Sequence, residues 1–196
     1  MRTRDELALT PVTGSCAFID RDGVINEELD YVHRIEDFHL LPGVIDGLRL
    51  LREHGFALVV VTNQAGIARG LYTEADYQAL TAHMKALLEA QGAPLAGVYH
   101  CPHHPTAGVG AYRIDCSCRK PRPGMLLQAA QDLGLDLSRS VIVGDKHSDL
   151  QAGRAAGLSA CVLVESGHAP SAKARAMADH TSANLLEAAR WIVVSR

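Results

Sequence analysis

The chain has 196 residues and a net charge of −3, with 47% hydrophobic and 21% charged residues. That is the balance of a soluble globular protein long enough to bury one full core. It argues against a dedicated nucleic-acid surface, which needs a basic face, and the longest apolar runs, such as Phe56 to Val61, are too short to span a bilayer.

In chain order, Met1 to Val12 is polar and charged and has no secretory h-region. It is expected to be loose, ahead of a core over about 14–192 in a single domain spanning 1–196. Residues 16–19 read as the first strand, followed by Asp20-Arg21-Asp22-Gly23. Side chains at i and i+2 of an isolated strand share a face, so Asp20 and Asp22 can both reach one hard cation. Mg²⁺ is commonly held by one or two carboxylates plus phosphate oxygens. An Asp can also act as a nucleophile and carry phosphate itself.

A helix begins at Leu41-Pro42-Gly43, puts Val44, Ile45, Leu48 and Leu51 on one face, and ends at Gly55. The second strand is expected at 57–61. It runs into Thr62-Asn63-Gln64-Ala65-Gly66, where a hydroxyl and backbone N–H groups can bind a phosphate oxygen, or simply make a polar turn. A second helix opens at Thr73, with Asp76 as its capping-box partner, and runs to about Gln91. A third strand is expected at 97–100.

The segment Arg119-Lys120-Pro121-Arg122-Pro123-Gly124 offers a point charge and a bidentate fork for phosphate, stiffened by prolines. A third helix is expected from Pro123 to Gly134. After a strand at 140–143, Asp145 follows Gly144 and projects at the strand end, where it could complete the Mg²⁺ site begun by Asp20 and Asp22. Asp149 is expected as the N-cap of a helix ending at Gly157, and also as a partner that orients Lys120. A strand at 160–164 and a helix near 183–192 complete the series, with Trp191 read as a packing residue.

Strands alternating with helices imply an α/β fold: a three-layer, doubly wound parallel sheet with right-handed crossovers. Ligands in such folds bind beyond the carboxyl ends of the strands. Asp20, Asp22, Thr62, Asn63 and Asp145 all follow strands and should gather there. Asp20 and Thr62 are 42 positions apart, and Thr62 and Lys120 are 58 apart. Those intervals leave no room for a large cap domain.

Five cysteines is an odd number, and three of them fall between 101 and 118, so a disulfide framework is not expected. Cys101, Cys116, Cys118 and one of His103 or His104 make a Cys₃His set of the structural zinc type, in a reducing, cytoplasmic setting. Cys118 directly precedes Arg119 and Lys120, so a zinc clip there would hold both cations in place. Cys16 and Cys161 lie in apolar strands and read as core residues.

Asp-x-Asp, then Thr, then Lys, then Gly-Asp-x-x-x-Asp, each after the right strand, resembles the haloacid dehalogenase (HAD) superfamily over roughly residues 16–165. The resemblance implies that Asp20 attacks phosphorus, that Asp22 serves as general acid and then base, and that Thr62 and Lys120 bind the transferring phosphoryl group. It also implies Mg²⁺ on Asp20, the Asp22 main-chain carbonyl and Asp145. The segments Asp-Arg-Asp-Gly-x-Ile-Asn, Thr-Asn-Gln-x-Gly-Ile-Ala-Arg-Gly, Cys-Pro-His-His-Pro and Cys-x-Cys-Arg-Lys-Pro-x-Pro-Gly-Met narrow the resemblance. They are similar to the D-glycero-D-manno-heptose 1,7-bisphosphate phosphatases. That family implies loss of the C7 phosphate, leaving heptose 1-phosphate for nucleotide-activated heptose and lipopolysaccharide synthesis. It implies His103 as the fourth zinc ligand.

The same resemblance implies that Glu28, Leu29, Asp30 and Tyr31 form a substrate-facing loop and that Arg119 is the recognition arginine. Arg21, Asn63, Gln64, Ala65 and Lys146 complete the expected substrate set. Asp30 stands where the family often has a small residue such as Gly. The alternative is a histidinol-phosphate phosphatase, whose zinc loop is shorter; the twelve residues between His103 and Cys116 favour the heptose reading. The expected partner is a small phosphorylated sugar, with no nucleic acid and no membrane, acting on a monomer.

Overall fold

The structure, a computed structural model, describes residues 14–195; the segment expected to be loose, 1–12, lies outside the described residues. Six short runs form the strands: β1 (Cys16–Ile19), β2 (Ala57–Asn63), β3 (Gly97–Cys101), β4 (Val141–Gly144), β5 (Ala160–Val164) and β6 (His180–Ser182). They make one sheet in the order β3-β2-β1-β4-β5-β6, with every pairing parallel. Parallel strands covered on both faces are apolar throughout rather than alternating. Accordingly, every residue of β1 and β4 is buried.

Successive strand residues face opposite layers. Ala17, Ile19, Leu58, Val60, Val141 and Val143 join one core, with α1 (Val44–Glu53), α3 (Glu74–Ala90) and α7 (Leu185–Val194) packed on it. Phe18, Val59, Val61, Ile142 and Leu163 join the other, under α4 (Gly124–Leu133), α5 (His147–Ala156) and α6 (Ala172–Met177). This is the expected three-layer, doubly wound arrangement. A Cβ on Gly47 would lie 3.1 Å from the backbone of Leu185, which shows how closely α1 approaches α7.

Local signals placed most helix ends. Thr73 caps α3, accepting from Asp76 N–H at 3.1 Å, while Asp76 accepts from Thr73 N–H at 2.8 Å. Gly43, at φ 78°, precedes α1, and Gly134, at φ 65°, closes α4. Several features depart from expectation. β2 extends through Thr62 and Asn63, because β3 runs alongside and pairs with their backbones. β6 is a polar edge strand paired only with β5. A short helix, α2 (Ala65–Ala68), follows β2 directly, and α6 is likewise brief. α5 starts at His147, so Asp149 is its third residue rather than its N-cap.

The strand order runs outward from β1 to β3 on one side and from β4 to β6 on the other. The crevice beyond β1 and β4 is therefore the topological switch point. Between β2 and Lys120 the chain builds only α2, α3, β3 and a loop, and no large cap domain stands among the described residues. No helix among them is long and apolar enough to cross a membrane.

Candidate active site

Asp20 leaves β1 at the switch point, tied to the neighbouring strand by a 3.0 Å bond from its N–H to the Val143 carbonyl. Its Oδ1 accepts from Arg21 N–H at 2.8 Å and lies 2.9 Å from Lys120 Nζ. Lys120 Nζ also lies 2.7 Å from Asp149 Oδ1 and donates to the Val61 carbonyl at 2.8 Å. Three acceptors match the three protons of one ammonium. Lys120 is only 3% exposed. Burial alone would lower its pKa, but the carboxylates of Asp149 and Asp20 overturn that and hold it well above the usual lysine range. Burial pushes the Asp20 carboxyl up to about 6, against the pull of Lys120.

Asn63 sets the position of Lys120. Its amide clamps the Lys120 backbone, accepting from N–H at 3.1 Å and donating to the carbonyl at 3.0 Å. Gln64 is 2% exposed and donates to Thr62 Oγ1 at 2.8 Å and to Asp22 Oδ2 at 3.1 Å. Ala65, half-buried, opens α2 beside them.

The structure separates the carboxylates of Asp20 and Asp22. β1 ends at Ile19, so strand alternation does not carry over to the turn. The Asp22 carboxylate instead faces Arg21, whose Nε and Nη2 donate to its Oδ1 at 3.1 and 2.8 Å, and Asn26, which donates at 3.0 Å. Arg21 is 1% exposed and also donates to the Val32 carbonyl at 2.7 Å. Its Nε and Nη2 are thus directed at protein groups, while Nη1 is buried without a hydrogen-bond partner.

The acidic group that could hold a cation is Asp20, Asp145 and Asp149, with an oxygen of each within 4.8 Å of the others. Asp149 is already paired with Lys120. Asp145 is 1% exposed, and its Oδ1 is buried without any hydrogen-bond partner. Its Oδ2 accepts from His168 N–H at 3.0 Å and lies 2.9 Å from His168 Nδ1. A buried carboxylate oxygen with no donor, in a cluster where carboxylates outnumber ammonium groups, fits an oxygen-seeking cation such as Mg²⁺. Sequence reasoning missed His168. It sits in the loop after β5, a strand end that carried no recognisable motif.

Glu28 and Lys146 pair across the mouth of the site at 3.1 Å. Beyond them Leu29 and Tyr31 are exposed, and Asp30 and Tyr31 both adopt left-handed backbone, at φ 52° and 62°. The Arg69 guanidinium lies 5.9 Å over the Tyr31 ring.

Cys101 ends β3, and the loop beyond it returns at Cys116. The Cys101 and Cys116 sulfurs are 3.4 Å apart, and Cys118 Sγ lies 3.2 and 3.1 Å from them. His103 Nδ1 completes the group, 3.9 Å from Cys101 Sγ and 3.6 Å from Cys118 Sγ. None of the three is in a disulfide. Burial raises the Cys116 thiol, but bonds from Cys118, Cys101, the Arg119 backbone and His103 outweigh it and bring the thiol down to about 7. Three converging thiols and a ring nitrogen suit structural Zn²⁺. His104 turns elsewhere: its Nδ1 accepts from Ala107 N–H at 2.9 Å and Thr106 N–H at 3.3 Å. Arg119 Nη1 donates to the His103 carbonyl at 3.2 Å, joining the loop to the active-site mouth. Cys16 and Cys161 are core residues.

A parallel sheet with an aspartate after β1, a hydroxyl on β2, a buried lysine and an aspartate after β4 defines a HAD-like hydrolase. A HAD-hydrolase-like family model matches residues 117–188. The D-glycero-beta-D-manno-heptose-1,7-bisphosphate 7-phosphatase of Yersinia pestis is 49% identical over 162 residues, 83% of this chain and 86% of that protein. The D-glycero-alpha-D-manno-heptose-1,7-bisphosphate 7-phosphatase of Photorhabdus laumondii subsp. laumondii is 47% identical over 152 residues, 78% of this chain and 83% of that protein. The D,D-heptose 1,7-bisphosphate phosphatase of B. bronchiseptica, solved with magnesium and phosphate, matches with a TM-score of 0.79 and 30% identity, covering 93% of this chain and 99% of that one. The chain belongs to the heptose-1,7-bisphosphate 7-phosphatase family of HAD-like hydrolases.

Proposed function

We propose that this chain is a Mg²⁺-dependent phosphatase that removes the C7 phosphate of D-glycero-D-manno-heptose 1,7-bisphosphate, leaving heptose 1-phosphate for nucleotide-activated heptose synthesis. The observation that carries this reading is the contact of Asp20 with Lys120 at the switch point, beside the unpartnered Asp145 Oδ1. Asp20, Asp145 and the Asp22 main-chain carbonyl would hold Mg²⁺, which supplies charge neutralisation for the transferring phosphoryl group.

In the first step the Asp20 carboxylate attacks phosphorus. A P–O bond to Asp20 forms, the bond to the sugar oxygen breaks, and Asp22 gives that oxygen its proton. Lys120 and the Thr62 hydroxyl face the equatorial oxygens, where charge builds. In the second step water attacks phosphorus, its proton passes to Asp22, and the Asp20–phosphorus bond breaks to release phosphate. Both Asp22 oxygens accept bonds from Arg21, and a proton on either displaces a donor, so the first transfer, which removes that proton, tightens the clasp.

Glu28, Leu29, Asp30, Tyr31, Arg119 and Lys146 surround the sugar and its second phosphate. Cys101, His103, Cys116 and Cys118 would hold a structural Zn²⁺, which would keep Arg119 and Lys120 in register. The enzyme acts as a cytoplasmic monomer in a single domain, with no nucleic-acid partner; the net charge of −3 supports the last point and the free cysteines support a reducing compartment.

The test is phosphate release with Mg²⁺ from heptose 1,7-bisphosphate beside histidinol phosphate, followed by phosphorus NMR of the product. Retention of the C1 phosphate and loss of the C7 phosphate is expected. Preference for histidinol phosphate would overturn the substrate assignment.

A further inference from the structure

We propose that Tyr72 is a positioning residue for this reaction: through Gln64 its hydroxyl sets the direction in which Thr62 donates its proton and the place at which Asp22 is held. The proposal rests on the phosphatase reading above and deepens it. It also gives Gln64 a role other than touching the sugar.

The geometry is a chain of three side chains. Tyr72 is 6% exposed, and its hydroxyl lies 2.5 Å from Gln64 Oε1. An amide oxygen can only accept, so Tyr72 is the donor. Burial raises the Tyr72 pKa, which keeps that proton in place. With Oε1 facing Tyr72, the Gln64 NH₂ faces Thr62 Oγ1 at 2.8 Å and Asp22 Oδ2 at 3.1 Å. The opposite amide orientation would turn a carbonyl oxygen onto the Asp22 carboxylate. The acceptor-only Asp22 carboxylate therefore selects the orientation in which both amide hydrogens serve the site, and Tyr72, donating to Oε1, holds the amide there.

The consequence for Thr62 is specific. Its Oγ1 already accepts from Gln64, so its own hydrogen is directed away from Gln64 and is available for a phosphoryl oxygen. Every bond then runs one way, from the Tyr72 hydroxyl to the Gln64 carbonyl, from the Gln64 amide to Thr62, and from Thr62 to phosphate. Bonds aligned in this sense polarise one another.

Tyr72 is itself held rigidly. Its ring stacks on His33 with centroids 4.9 Å apart and planes 5° apart. It packs with Ile67 and Tyr77, and Tyr112 of the cysteine loop rests against that cluster. A Cβ on Gly66 would lie 2.0 Å from Tyr72 Cε1, so only glycine lets the ring lie against the start of α2. The segment from Thr62 to Tyr72 thus contains both the hydroxyl that faces phosphate and the parts that aim it.

The experiment uses the full chain loaded with Zn²⁺ and Mg²⁺ and compares Tyr72→Phe, Gln64→Met, the double variant and Asp20→Asn on heptose 1,7-bisphosphate. Tyr72→Phe keeps the ring, the stack and the packing. We expect its kcat to fall about tenfold, with KM within about twofold, as suits the loss of one ordinary hydrogen bond that matters in the transition state. Gln64→Met should lose at least as much kcat. The double variant should lose no more than Gln64→Met alone, because Tyr72 acts through Gln64. Wild-type kcat in Tyr72→Phe, beside an inactive Asp20→Asn, would overturn the relay and leave the phosphatase reading standing. Losses that multiply in the double variant would overturn it too. No phosphate release by the wild-type chain would instead sink the phosphatase reading, and an active Asp20→Asn would sink only the role of Asp20 as nucleophile. If Tyr72→Phe folds poorly, Gln64→Met carries the test alone, and wild-type kcat there overturns the proposal.

Discussion

Lys120 and Asp149 form an ion pair that water barely reaches: Nζ lies 2.7 Å from Oδ1, and each side chain is 1% exposed. Asp149 also accepts from Lys146 N–H at 2.9 Å, so one carboxylate caps α5 and anchors the buried ammonium. Removing one partner of a buried pair costs up to about 3–5 kcal/mol, and here Asp20, 2.9 Å from Nζ, would be the ammonium's one remaining carboxylate. Asp149→Ala is therefore expected to destabilise the fold by up to that amount and to depress kcat through a displaced Lys120. Urea denaturation with activity assays checks this. A loss below about 1 kcal/mol would show that Lys120 finds another partner.

Asp20→Asn should abolish turnover, since an amide neither attacks phosphorus nor ligates Mg²⁺ well. It should also change how stability depends on pH. Asp20 is raised to about 6 in the folded, metal-free protein, above its value in the unfolded chain. The folded state then binds the extra proton, so the stability this contributes is full below about pH 4 and is lost as pH rises through about 6. The loss is on the order of 3 kcal/mol. Asp20→Asn should flatten this slope, and Mg²⁺ should restore wild-type stability above pH 6 by binding only the folded state. Melting curves across pH 4–8, with and without Mg²⁺, decide it. A wild-type slope in the variant would mean that another group titrates.

Gly167 lies against the metal-capable carboxylate. A Cβ there would sit 2.3 Å from Asp145 Oδ2 and 2.7 Å from the Gly23 Cα. Gly167→Ala must push Asp145 or the Gly23 turn aside, and groups supporting a ligand typically matter about 10–100-fold in metal affinity. The Mg²⁺ concentration for half-maximal activity should rise at least about tenfold. An unchanged Mg²⁺ titration would remove Asp145 from the metal site.

The cysteine loop makes an asymmetric prediction about its two histidines. His103 faces the sulfurs, whereas His104 caps a turn at Thr106 and Ala107. His103→Ala and Cys118→Ser should lose zinc, and His104→Ala should keep it. Zinc loss frees the segment that holds Arg119 and Lys120, so KM should rise and kcat should fall together. Elemental analysis with steady-state kinetics tests both halves. Zinc-free protein with unchanged constants would show that the loop does not organise the site.

The sequence alone determined the layer architecture and the order of the motifs. Buried parallel strands are apolar on both faces, so β1, β2, β4 and β5 stand out as short continuous runs whatever packs on them. Capping chemistry is equally local: Thr73 with Asp76 and the stop at Gly134 depend on neighbours a few residues away. Tertiary structure decided what depends on partners far along the chain. β6 is strand only because β5 lies beside it, since His180-Thr181-Ser182 has no apolar pattern of its own. Asn63 and Gln64 read as phosphate-facing polar residues, yet their amides are turned onto Lys120, 57 positions away, and onto Asp22, 42 positions away. The choice between His103 and His104 required the loop's fold, because adjacent residues with identical chemistry differ only in direction. Separation of the Asp22 carboxylate from Asp20 came from Arg21, a buried guanidinium whose partners local spacing cannot specify.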